Sequence, residues 1–332
     1  MNPSRLFTID TNLIICLAVA WLIELALGSP RFIARLAQRF ARVMDIIAER
    51  VLSLARRRRG RSAPAEKTAG VLLLIYLAAF SFILISVFLN MMRGLHPSLY
   101  YIFNTLIIYK AFQTRTAADG ASAERKALRG GDAGEIARII SDLSKICLDG
   151  ACAPLFVISA GVLLGVPAAF AAAYITLSIY RGAAEKKGGE LENLGWAAFK
   201  LNDIVKFIPA RLCCVVLPLL APVCGTGFFG IAAGYRATRE AQAVRSFSNN
   251  YTNLNYAWPA AAFAGILGIR FGSGAAYKNV LKPEYKLKDA GFTLREPEIP
   301  DIGRAVKLLL ASSLSALIIC CAALLYIATS FQ

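Results

Sequence analysis

The chain has 332 residues, 57% of them hydrophobic and 17% charged, with a formal net charge of +16 and a mean hydropathy of +0.55. That composition excludes an ordinary soluble domain and fits an integral membrane protein. One histidine and eight cysteines without a CxxC pair give no metal-finger spacing, so a metal cluster is not expected and the cysteines read as small buried hydrophobes.

Residues 12–28 form the first apolar run. Arg5 is its lone basic lead and Leu27-Gly28-Ser29-Pro30 offers no small-x-small cleavage site, so the run reads as a retained span rather than a secretory leader. Glu24 inside it is costly unless it faces protein or water, which makes it a candidate binding residue. Residues 29–68 then hold eleven Arg and Lys against three acids. Within 31–68, Leu36, Phe40, Val43, Ile47, Val51 and Leu54 recur at helical steps with arginines on other faces, the pattern of an amphipathic helix on an anionic leaflet. The linker that follows, Arg56-Arg57-Arg58-Arg59-Gly60-Arg61, extends the anionic-lipid surface over 31–61, and without interleaved aromatics it gives no reason to expect nucleic acid.

Residues 69–90 are a second run of spanning length, and 95–109 a shorter one with Tyr100, Tyr101 and Tyr109 near its ends, where interfacial aromatics belong. Residues 110–150 turn polar. Ile136, Ile139, Ile140 and Leu143 keep helical spacing there, so most charges fall on a solvated face. Asp149-Gly150 differs, because it directly precedes an apolar segment where a carboxylate can hold a cation or a basic substrate. The apolar segments 152–180 and 212–234 are each interrupted by proline and glycine, and broken helices at membrane depth commonly line polar cavities. The last apolar run is 306–328. Because the stretches 29–68, 181–211 and 235–305 are basic, the positive-inside rule puts them, and with them the polar segment 110–150, in the cytoplasm if both broken segments return to the side they entered. The expected fold is all-α: one polytopic membrane domain with about four full spans and two re-entrant apolar hairpins.

Two polar constellations remain. In 195–211, helical spacing lets Asp203 and Lys206 share a face, either as a boundary ion pair or as part of a site that also holds Lys200 and Arg211. In 249–274, asparagines including Asn255 precede a glycine-rich turn with Arg270, a combination able to bind phosphate, although it matches no P-loop.

Taken in order, these segments resemble the adenosylcobinamide-phosphate synthase (CbiB/CobD) family of cobalamin biosynthesis. Residues 24–30 are similar to the family's DLLLGDP, and 127–138 to its AL..GDL..AR. Asp149-Gly150 with Ala153-Pro154-Leu155-Phe156 matches DG…APLF, while 195–211 matches GWASARLDDVLNFIPARL. Asn255, Pro259, Gly265, Gly268, Arg270, Gly272 and Tyr277 follow the final N.GYPEAAMAGALGVRLGG…Y pattern. The resemblance implies an enzyme of the cell inner membrane, its site facing the cytoplasm, that joins adenosylcobyric acid to (R)-1-aminopropan-2-ol phosphate as an amide. It also implies ATP and Mg2+, and other cobalamin-assembly proteins as partners. Carboxylates for metal and cations for phosphate are then needed. Asp149 and Asp203 are the metal and catalytic candidates with Lys200 beside them, and Arg211, Arg138, Arg270, Asn255 and Glu24 are the substrate and phosphate candidates.

Several polar positions of that pattern differ. Ser29 stands for the aspartate of GDP, Asn202 for the first aspartate of DD and Ala260 for the glutamate of PEAA. A segment of about twenty residues is missing between Arg138 and Asp149. These losses weaken metal and nucleotide binding, so a non-catalytic or repurposed membrane relative, serving as sensor, assembly partner or corrinoid binder, stands as the alternative function. A transporter is the third reading, suggested only by the broken segments.

Overall fold

A computed structural model describes residues 10–29, 62–128, 132–186, 192–245, 254–270 and 295–330, with 39, 42, 46 and 50. The lipid-facing surface expected over 31–61 lies largely outside the described residues, as do 271–294 with Gly272 and Tyr277. The described residues are almost all helical, with a lone parallel bridge between Ile269 and Arg295 as the extended pairing.

The helices with described bounds are α1 (Thr11–Leu27), α2 (Ala63–Leu95), α3 (Pro97–Tyr109), α4 (Thr114–Ala127), α5 (Ala133–Ile146), α6 (Ala153–Leu163), α7 (Pro167–Lys186), α8 (Glu192–Leu219), α9 (Gly227–Arg245), α10 (Leu254–Leu267) and α11 (Ile299–Ser330). A π-helical turn, Cys147–Cys152, joins α5 to α6, and a 3-10 turn, Ala221–Cys224, follows α8. Among the described residues, three stretches are long and apolar enough to cross a membrane: Ala63–Leu95, Ala133–Leu163 and Ile299–Ser330. The second joins α5, the π turn and α6, a run that the polar residues of α5 conceal in the sequence. Pro97–Tyr109 is a separate helix of 13 residues, short of the ~20 needed for a full crossing. Along α2, Leu72, Ile75, Phe80, Ile83, Leu84 and Val87 are exposed, an apolar face suited to lipid and costly in water.

The chain forms two compact units. The first comprises 1–112, 156–205 and 320–332. Its core sets Leu73, Leu74 and Leu77 of α2 against Leu177 and Tyr180 of α7 and Leu194 and Ala198 of α8. Gly70 permits this approach, because a Cβ there would overlap the carbonyl of Leu194. The Tyr180 hydroxyl bonds the same carbonyl at 3.0 Å. Between α6 and α7 the chain reverses at Gly165, whose φ of +74° lies in the left-handed region open to glycine.

The second unit comprises 113–155 and 206–319. Ile136, Ile140 and Leu143 of α5 supply its apolar stripe and meet Phe263 and Ile266 of α10, together with Ile302 and Leu308 of α11. Tyr235 of α9 bonds the carbonyl of Val215 in α8 at 2.9 Å, closing the helical reversal that the 3-10 turn begins. Arg295 grips Asp301 through two bonds of 2.7 and 2.8 Å, and the Ile269–Arg295 bridge fastens that clasp to the end of α10. A bidentate arginine–carboxylate pair both orients and holds the segment. The bond from Asp301 raises the Arg295 guanidinium above its ordinary pKa.

Candidate functional site

The buried stripe of α8 reads Ala198, Asn202, Lys206, Ala210, Cys213 and Leu217, at steps of three and four. Small and apolar residues predominate, so the helix packs closely, yet a lysine sits in the middle. Lys206 is 1% exposed, and an ammonium cannot stay charged at such depth without a compensating anion.

That anion comes from the π turn. The wider turn of Cys147–Cys152 sets Asp149 so that its Oδ1 lies 2.5 Å from Lys206 Nζ. Pi turns of this kind recur at functional positions in helices. Tyr256 of α10 closes the group. Its hydroxyl accepts a bond from Lys206 Nζ at 2.8 Å and donates to Asp149 Oδ2 at 2.6 Å, while the ammonium also lies 4.9 Å from the Tyr256 ring centroid. Each member of Asp149–Lys206–Tyr256 thus touches the other two. A buried pair with a shared hydroxyl holds its charges at fixed positions.

The neighbouring turns extend this polar surface. Arg211 lies a little over one turn beyond Lys206; its guanidinium bonds the Phe207 carbonyl at 2.6 Å and sits 5.0 Å from the Trp258 ring. Asn255, buried at the start of α10, adjoins Tyr256. α8 therefore presents Lys206 to Tyr256 and Arg211 to Trp258, and both aromatic partners come from one turn of α10.

Of the remaining candidates, Arg138 and Arg270 belong to the second unit. Arg138 is engaged by Glu124 at 2.6 Å, Asp142 at 3.4 Å and Glu135 at 4.0 Å, so acids already surround its charge. Arg270 is exposed, and its backbone N–H bonds the Arg295 carbonyl at 2.8 Å. Glu24, Lys200 and Asp203 belong to the first unit. Lys200 is exposed and Asp203 half-buried on α8. Glu24 is buried near Lys110, whose ammonium burial pulls below the ordinary lysine range while the Glu24 carboxylate pushes it back up.

A divalent ion does not fit Asp149 as arranged. Its two oxygens face the Lys206 ammonium and the Tyr256 hydroxyl, and a metal there would have to displace a resident cation. Among the described residues, no group of three potential ligands includes Asp149 or Asp203.

In the sequence Lys206 reads as a helix-face neighbour of Asp203, whereas the structure joins it to Asp149 and to Tyr256, a residue with no sequence signal. The signal for Lys206 was one charge in a small-residue stripe. Tyr256 stands 50 residues beyond it, and nothing local announces that pairing.

The chain's central region, with all three residues of the triad, falls within 143–309, the stretch matched by the family model described as CobD/Cbib protein. The chain belongs to the CobD/CbiB family. It is 26% identical to the cobalamin biosynthesis protein CobD of Klebsiella pneumoniae, covering 90% of this chain and 93% of that protein. It is 28% identical to CobD of Pelobacter propionicus, over 82% and 84% respectively. With the cobalamin biosynthesis protein CbiB of Salmonella arizonae it shares 24% identity over 92% and 95%. No solved structure matches. The CobD/CbiB match thus reaches both units, whereas the family model covers chiefly the second, where Asp149, Lys206 and Tyr256 meet.

Proposed function

We propose that this chain acts in cobalamin biosynthesis, as the membrane enzyme that joins adenosylcobyric acid to (R)-1-aminopropan-2-ol phosphate as an amide with ATP. The Asp149–Lys206–Tyr256 triad inside the family match carries the reading. Amide formation calls for a fixed cation near the oxygen that gathers charge and for an acceptor of the amine's proton. Lys206 suits the first task and Asp149 the second. When a substrate oxygen replaces Asp149 on the Lys206 ammonium, the carboxylate is released to accept a proton, with Tyr256 orienting it. Arg211, beside Trp258, is the nearest cation along α8 for a substrate phosphate. ATP supplies carboxyl activation in such a reaction. The reading sets this surface toward the cytoplasm on the inner membrane, with two re-entrant hairpins at 152–180 and 212–234, and leaves anionic lipid to 31–61.

One observation favours a second reading, a non-catalytic or repurposed relative. Asn202, where the family pattern has an aspartate, is 1% exposed, and neither of its amide atoms has a hydrogen-bond partner among the described residues. Complementation of a strain lacking the synthase separates the two readings. Growth on cobyric acid without cobinamide supports the enzyme. Growth only when cobinamide is supplied, at normal membrane levels of the protein, supports the non-catalytic relative.

A further inference from the structure

The two elements that carry Asp149 and Lys206 also gather sulfur. Cys147 and Cys152 begin and end the π turn, five residues apart, the spacing that a π-helical turn brings onto one face. Cys213 lies two turns beyond Lys206 on α8. The three Sγ atoms are all within 4.8 Å of one another. Ser312 of α11 adds a hydroxyl, its Oγ 3.1 Å from Cys147 Sγ. Because the Ser312 hydroxyl donates to the Leu309 carbonyl at 2.8 Å, the Cys147 thiol is the donor of that contact. Cys147, Cys213 and Ser312 are buried and Cys152 is half-buried, so the cluster has an interior and one accessible member.

We propose that Cys147, Cys152 and Cys213 bind one thiophilic divalent ion, zinc or an ion of similar softness, with Ser312 as a neutral fourth donor. A zinc–sulfur distance of about 2.3 Å sets ligand sulfurs about 3.8 Å apart, within reach of side-chain rotation from the observed spacing. Binding releases three protons, because zinc takes cysteine as the thiolate. The Ser312 hydroxyl stays neutral, so the filled site carries one net negative charge spread over three sulfurs. The ion would tie the π turn to α8 and thereby fix the elements that hold Asp149 and Lys206. No CxxC spacing signals this site, because its ligands come from a π turn and a distant helix.

The test uses the full chain, purified in detergent under reducing conditions and stripped of metal, and titrated with zinc and with cadmium as a spectroscopic probe. The expected result is saturation at roughly one ion per chain with a sulfur-to-cadmium charge-transfer band. Cys147→Ser and Cys213→Ala are expected to weaken binding by about tenfold or more, whereas Cys214→Ala, at the adjacent buried position, leaves it unchanged. Absence of the band in the unmodified chain, or its persistence in Cys213→Ala, overturns the proposal. A readout that needs no variant is alkylation of the unmodified chain: zinc is expected to protect Cys152, and equal labelling with and without zinc contradicts the site.

Discussion

Arg138 and Lys206 both sit in the second unit and both are matched by acids, yet they differ in depth. The Arg138 side chain is 44% exposed among Glu124, Glu135 and Asp142, where water screens every pair and the net worth is small. Lys206 is 1% exposed and is held by the Asp149 carboxylate and the Tyr256 phenol. By number of ion pairs Arg138 looks the better-held cation. Burial reverses that ranking, because losing one partner of a buried pair leaves a charge that nothing else solvates.

The largest expected effect follows directly. Asp149→Ala strands the Lys206 ammonium and destabilises the chain by about 3–5 kcal/mol, read by thermal unfolding in detergent. The double variant Asp149→Ala with Lys206→Met regains most of that loss, since it removes both charges; a double variant as unstable as the single would break the comparison. Next in size is Tyr256→Phe, which deletes one phenol that bonds both charges and costs about 1.5–3 kcal/mol. A change below about 0.5 kcal/mol there would mean that the hydroxyl bonds add nothing, against their usual worth to charged groups.

Asn202→Leu reverses the sign. Both amide atoms are buried without a partner among the described residues, so an apolar side chain of similar volume is expected to raise stability by about 1–3 kcal/mol. A drop instead would show that the amide is satisfied by something it binds. The smallest effect belongs to Arg138→Gln, under about 1 kcal/mol, with complementation unchanged. Loss of growth with that variant would return Arg138 to the site.

The same contrast explains what could be read in advance. Long apolar runs announce themselves: α1 covers the run at 12–28 up to its C-cap Gly28, and α2 and α11 contain the runs at 69–90 and 306–328. The stretch Ala133–Leu163 was hidden because Glu135, Arg138, Asp142 and Lys145 mark its first half as polar. Among site residues, Asp149 was legible from its place before an apolar segment, and Arg211 from its family motif. Lys206 was visible as a charge, but its burial depends on α10 packing against it. Tyr256 and the Cys147–Cys152–Cys213 group arise from contacts between distant segments and from a π turn, neither of which leaves a fixed spacing in the sequence.

The most direct test of the central claim is an assay of the purified protein with adenosylcobyric acid, (R)-1-aminopropan-2-ol phosphate and ATP, with the amide product detected by mass spectrometry. The account predicts product from the unmodified chain and none from the folded double variant Asp149→Ala with Lys206→Met. Undiminished product from that double variant would contradict the assignment of catalysis to the triad, and no product from the unmodified chain would contradict the enzyme itself.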